Sequence, residues 1–240
     1  MEQGVWILAL IVVVAHGVQA ITGFGSSILS LTFGSFVAPV DHLLPVLVPL
    51  NLGVPAYLVA RYWRDIDGRE LGLRIIPFAG LGLALGFAIY VSAAPPWLAV
   101  VYAAFVVVIA GLRLVASLRE GEGAAAGERP SPLWLIAGGL IHGLFATGGP
   151  LLILYTSAVI PDKQRFRCTM SAVWLLLNLA LVIGYALQGS LSAATLRETL
   201  MLVPAIVVGI VGGELLHRRV SQRSFRIAIF ALLLVAGLLL

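Results

Sequence analysis

The chain has 240 residues, 60% hydrophobic and only 11% charged, with 26 glycines, a single cysteine and a formal net charge of +4 at pH 7. A soluble domain is about 25% charged, so this composition excludes a water-soluble fold and predicts an all-α integral membrane protein. Cys168 alone excludes an internal disulfide and a thiolate metal cluster, and the basic excess lacks the basic–aromatic interleaving of a nucleic-acid surface.

Residues 4–38 are apolar around one polar, glycine-rich break, His16-Gly17-Val18-Gln19-Ala20-Ile21-Thr22-Gly23-Phe24-Gly25-Ser26-Ser27. The run ending near Val18-Gln19-Ala20 has the look of a secretory signal, but its n-region holds Glu2 and no Lys or Arg. Residues 5–20 are therefore expected to belong to the fold. A turn at Pro39–His42 leads to a second segment, residues 43–60, interrupted by Pro45, Pro49 and Pro55 and expected to kink. A charged loop, Arg61–Glu70, precedes a third segment at 71–91. Ser92–Pro96 is a small turn before a fourth segment at 97–117.

Residues 118–132, rich in Gly, Ala, Glu and Pro, read as a cytoplasmic linker. Residues 133–160 are apolar around a second break, His142-Gly143-Leu144-Phe145-Ala146-Thr147-Gly148-Gly149-Pro150. Pro161–Arg167 is basic, and segments at 168–187, 197–216 and 224–240 complete the chain.

The two halves, 1–117 and 133–240, read as copies. His16-Gly17 aligns with His142-Gly143 at an offset of 126, and Asn51, Pro77, Gly82 and Gly86 align with Asn178, Pro204, Gly209 and Gly213 at an offset of 127. The glycine pairs are small-xxx-small spacings, suited to close helix approach. Charge then sets the topology. If each broken segment were one full span, the basic loops would fall on opposite sides of the membrane. If each goes in and returns, the halves are inverted, and all but Arg197 of the 15 Lys and Arg residues face one side. The positive-inside rule selects the second arrangement, with both termini outside the cytoplasm. Each repeat is then a broken or re-entrant hairpin followed by three transmembrane helices.

At about 1.5 Å per helical residue, His16 lies roughly 18 Å in from Gly4, and His142 lies roughly 14 Å in from Leu133. In a hydrocarbon layer about 30 Å thick, both breaks reach the midplane. Unwound backbone is tolerated at that depth only where protein or water satisfies it, and paired breaks in corresponding halves point to a transporter's binding site; two packing kinks are the plainer reading. Asn51 and Asn178 are expected either to line the same depth or to hydrogen-bond between helices.

Half-helix N-termini favour an anion, hydroxyls come from Thr22, Ser26, Ser27 and Thr147, and acidic residues are nearly missing from mid-segment positions. The expected substrate-binding set is Thr22, Gly23, Phe24, Gly25, Ser26, Ser27, Asn51, Thr147, Gly148, Gly149 and Asn178. His16 and His142 titrate nearest neutral pH and are candidates for proton coupling; each also reads as a satisfied buried imidazole. Neither a catalytic constellation, a metal-spaced cluster nor a phosphate loop is visible, so no enzyme, metal or cofactor is expected.

The repeated motif, carried by Thr22-Gly23-Phe24-Gly25-Ser26-Ser27 and Gly143–Pro150 with Asn51 and Asn178, resembles the sulfite exporter TauE/SafE family of membrane permeases, across almost the whole chain. The resemblance implies a transporter in the bacterial inner membrane that exports sulfite, organosulfonates or related small anions, and the inverted halves are expected to rock around the midplane site by alternating access. The first motif departs from the family's pattern: Ser26 and Ser27 follow Gly25, and no proline precedes Pro39. The alternatives are a non-transporting scaffold, which needs no polar breaks, and a membrane enzyme, which needs a reactive group. The oligomeric state is left open, a homodimer included.

Overall fold

The structure, a computed structural model, describes residues 2–22, 25–92, 95–119, 131–217 and 222–239. Among these every regular element is helical. Five stretches are long and apolar enough to cross a membrane: Val40–Asp65, Gly68–Ser92, Trp97–Ala116, Gln164–Leu187 and Ala193–Gly213. Their outer faces carry exposed Leu, Val and Ile, such as Val100, Leu112, Leu200 and Val207. Such faces suit acyl chains rather than water.

Both broken segments fold as pairs of short helices. The first is α1 (Glu2–Thr22) and α2 (Ser26–Gly34). The kinked second segment follows as α3 (Val40–Leu50) and α4 (Gly53–Tyr62). Pro55 has no N–H to offer the carbonyl of Asn51, so the helix opens at Asn51-Leu52.

The loop expected at Arg61–Glu70 is mostly helical. One 3-10 turn spans Trp63–Asp65, and α5 (Gly68–Glu70) starts at once. Asp67 makes the short connection possible. Its carboxylate accepts the Glu70 N–H at 3.0 Å, its own N–H donates to Thr169 Oγ1 at 2.9 Å, and Arg165 pairs with it at 3.4 Å. A π-helical turn at Leu71–Ile75 passes into α6 (Ile76–Ser92), just ahead of Pro77.

Then come α7 (Pro95–Arg119), the second broken pair α8 (Leu133–Phe145) and α9 (Gly149–Val159), and α10 (Lys163–Leu187). Asp162 caps α10 by accepting the Arg165 N–H at 2.8 Å. Gly189, at φ 76, ends it, and the Ser190 N–H reaches back to the Tyr185 carbonyl at 2.9 Å. The chain closes with α11 (Ala193–His217) and α12 (Gln222–Leu239). The linker at 120–130 and the basic residues 218–221 lie outside the described residues.

The helices gather into two compact units, and each unit draws on both halves of the sequence. Unit 1 comprises residues 1–44, 94–126 and 197–240; unit 2 comprises 45–93 and 127–196. In unit 1, α1 lies against α11. A Cβ added at Gly209 would sit 2.5 Å from the Val13 carbonyl oxygen, and one at Gly213 would sit 2.8 Å from the Ala20 Cβ. Tyr102 of α7 donates to the Ile28 carbonyl of α2 at 3.2 Å and accepts from Thr32 at 2.8 Å.

In unit 2, α8 lies against α6, and added Cβ atoms at Gly82, Gly86, Gly139 and Gly143 would all run into facing backbone. Each half's broken hairpin therefore seats on the glycine pair of the other half. The packing units therefore do not coincide with the two halves of the sequence.

Candidate substrate site at the helix breaks

The first break belongs to unit 1. α1 continues as helix through Thr22, six residues past His16. The His16 ring is buried and its Nδ1 donates to the Val12 carbonyl at 2.9 Å, one turn back along the helix. The chain turns at Gly25, whose φ of 101° lies in the left-handed region and whose missing Cβ would meet nothing within 4 Å. Glycine is required there by conformation and not by crowding. Ser26 is buried in the first turn of α2 and Ser27 is half-buried. Of the expected site residues, Gly23, Phe24 and the side chain of Thr22 lie outside the described ones.

The second break belongs to unit 2 and is built differently. α8 stops at Phe145, only three residues past His142, because Ala146 enters the left-handed region at φ 54. Its N–H closes the turn on the His142 carbonyl at 2.7 Å. Thr147 follows, buried, with no protein partner for its hydroxyl. Gly148 then caps α9 without any side-chain acceptor, and Pro150 lies in the first turn. The Leu152 N–H bonds the Gly148 carbonyl at 3.3 Å. The earlier first-turn N–H groups have no intrahelical acceptor, as at any helix start, so the break presents donors and a partial positive charge.

Three side chains surround this helix start. The His142 ring lies 5.8 Å from the Trp174 ring, tilted by 30°. The far edge of Trp174 lies 3.7 Å from where a Gly149 Cβ would be. Asn178, buried one turn further along α10, stands beside the His142 ring as its side-chain hydrogen-bonding neighbour. Neither ring nitrogen of His142 meets hydrogen-bond geometry with a protein group.

Thus Thr147, Gly148, Gly149, His142 and Asn178 come together in unit 2. Asn51 lies in the same unit, at the opening between α3 and α4. Thr22, Gly25, Ser26, Ser27 and His16 stand in unit 1. Sequence reading missed Trp174, although it precedes Asn178 by four residues on one helix and so shares its face.

Ala146 gives a first prediction. A left-handed alanine costs about 1–2 kcal/mol, against about 0.8 kcal/mol for its one buried methyl group. Ala146→Gly is therefore expected to leave thermal stability in detergent unchanged or higher by up to about 1 kcal/mol; a clear drop in the midpoint would show that the methyl packing dominates.

Interrupted apolar helices with polar groups buried at the interruptions make this a multi-pass membrane protein of transporter type. The chain belongs to the sulfite exporter TauE/SafE family. The family model, described as Sulfite exporter TauE/SafE, matches residues 8–240; these proteins are membrane transporters and not enzymes. A curated relative, "Probable sulfite/organosulfonate exporter TauE" of Cupriavidus necator, is 25% identical over 227 residues, covering 91% of this chain and 86% of its own. No solved structure matches the chain.

Proposed function

We propose that this protein exports sulfite, organosulfonates or related small sulfur-containing anions across the bacterial inner membrane by alternating access, through two inverted-topology repeats. The observation that carries the reading is the second break. There an α-helix starts among buried groups with an unpartnered hydroxyl beside it, in a chain of an exporter family. A helix start is suited to an anion, and a scaffold has no use for buried donors left without partners. The candidate binding groups form one set at each break, Thr22–Ser27 in unit 1 and Thr147–Gly149 with Asn51 and Asn178 in unit 2. The constant-offset sequence matches, and the seating of each hairpin on the other half's glycine pair, support the repeat.

The test is a stability screen of the purified protein against sulfite, sulfonates, sulfate, thiosulfate and carboxylates. A ligand at 100 times its Kd raises stability by about 2.7 kcal/mol. A sulfur oxyanion is expected to raise the melting temperature, and a flat response to all of them counts against transport of this class.

Orientation follows from the one-sided basic residues. The loops 61–70, 118–132, 161–167 and 217–226 are assigned to the cytoplasm, with both termini outside. Single cysteines introduced into these loops, in a background lacking Cys168, are expected to resist a membrane-impermeant reagent in intact cells. Labelling of any two loops from outside contradicts the inverted arrangement.

A further inference from the structure

We infer that the two breaks are not equivalent, and that the second one holds the anionic head. The site is the start of α9, with Thr147 Oγ1, the His142 ring and the Gly149 backbone as its contacts and Trp174 as its wall. This inference rests on the exporter reading given above and narrows it to one place.

The asymmetry begins in the sequence. Thr-Gly follows His142 after four residues but follows His16 only after five, because Ile21 is inserted. The extra residue accompanies a different local structure. α1 runs on as helix to Thr22, so His16 stands inside a continuous helix with Nδ1 bound to the Val12 carbonyl. α8 ends at Phe145, so His142 stands in the last turn, beside the start of α9.

The polar groups differ in the same direction. His142 is 2% exposed and Thr147 is 3% exposed; the Thr147 hydroxyl has no protein partner, and the His142 ring has the Asn178 side chain beside it without a bond of good geometry. A buried polar group left unpaired costs about 1–3 kcal/mol. An unpaired hydroxyl five residues beyond a weakly held buried imidazole, both beside a helix start, is a cost that a bound acceptor would remove. At the first break, by contrast, His16 has its bond, and the unpartnered buried hydroxyl, Ser30, lies four residues past the first residue of α2 rather than at the helix start.

The donors also have the right number and kind for an oxyanion. A sulfonate or sulfite head offers three oxygens and is met by a hydroxyl, an imidazole N–H and backbone N–H groups at a helix start. Gly149 leaves the approach clear, since the next heavy atoms beyond its missing Cβ belong to the Trp174 edge at 3.7 Å. None of these contacts is a fixed positive side chain. The site therefore selects a compact, singly or doubly charged oxyanion by hydrogen-bond count.

The experiment is calorimetric titration of sulfite and methanesulfonate into detergent-purified full-length protein, with melting temperatures recorded for every variant without ligand. Thr147→Val keeps the shape and removes the unpaired hydroxyl. It is expected to melt no lower than the parent and to bind on the order of 10- to 100-fold more weakly, the loss of one hydrogen bond to a charged group. Thr147→Ser restores the hydroxyl and is expected to bind within about 3-fold of the parent, a few tenths of a hydrogen bond's worth. Ser27→Ala, in the first break, is expected to bind as the parent does.

A Thr147→Val protein that melts lower yet binds normally would make Thr147 structural and overturn the inference. Loss of binding in Ser27→Ala with Thr147→Val unaffected would move the site to the first break and also overturn it. A parent that binds neither probe, though folded, refutes the exporter reading itself, and the site falls with it.

Discussion

Gly86→Leu is expected to separate α6 from α8 and to leave the protein unable to hold its fold in detergent. A Cβ at Gly86 would lie 3.1 Å from the Leu140 Cα and closer still to the Leu140 carbonyl. The obstacle is backbone, which cannot swing aside as a side-chain tip can. Gly82, Gly139 and Gly143 are blocked in the same way along the seam, so the two helices have no alternative register at equal spacing. Overpacking a well-fitted interior costs typically 1–3 kcal/mol and sometimes more, and here the misfit is backbone against side chain over several turns. The loss is expected at or above about 3 kcal/mol, read as failure to elute as a single species in size-exclusion chromatography. Gly213→Leu, against Gly17 and Ala20 in unit 1, is expected to fail likewise. Gly111→Ala in α7 is the control, since a Cβ there meets nothing within 4 Å. It is expected to be neutral or slightly stabilising.

Gly148→Val is expected to abolish anion binding by destroying the second hairpin rather than by blocking a ligand. The sequence alone places this glycine in the expected binding set, and the structure gives it a packing task. A Cβ at Gly148 would sit 2.9 Å from the His142 Cβ and run into the Gly138 carbonyl. The residue lets α9 turn back tightly against α8, which is what brings Thr147 and Gly149 beside His142. A valine there is expected to lower stability by about 1–3 kcal/mol and to remove binding of sulfite and methanesulfonate below detection. Gly149→Ala is expected to keep the fold, because its Cβ makes an ordinary 3.7 Å contact with Trp174. A Gly148→Val protein that melts and binds like the parent would show that the hairpin tolerates a wider turn.

Most of this was readable from the sequence, because bilayer chemistry leaves few options. Apolar length located the spans, and the repeated His-Gly to Thr-Gly stretches located both interruptions. The glycine pairs at 82/86 and 209/213 were legible as close-approach positions, though not which helices they would receive. That information is long-range: pairing across the two halves leaves no local signature beyond the small residues themselves.

The charge of the Arg61–Glu70 segment reads as a loop and masks its capping chemistry. Asp67 stands three residues before Glu70, the spacing of a helix N-cap and its partner, and the structure uses it so. The unlike ends of α1 and α8 were not legible either. They turn on Ala146 adopting a left-handed conformation that alanine rarely takes. Trp174 carries no signal in the sequence, because an aromatic residue in an apolar helix looks like any core residue until a neighbouring histidine is placed against it.

The central claim, export of a small sulfur-containing anion, is tested most directly by flux. Purified protein reconstituted into liposomes loaded with radiolabelled sulfite is expected to release the label faster than protein-free liposomes. The rate should saturate with internal concentration and fall when unlabelled methanesulfonate is added inside. Release no faster than from protein-free liposomes, for sulfite, sulfonates and thiosulfate alike and with the reconstituted protein verified as folded, would contradict it.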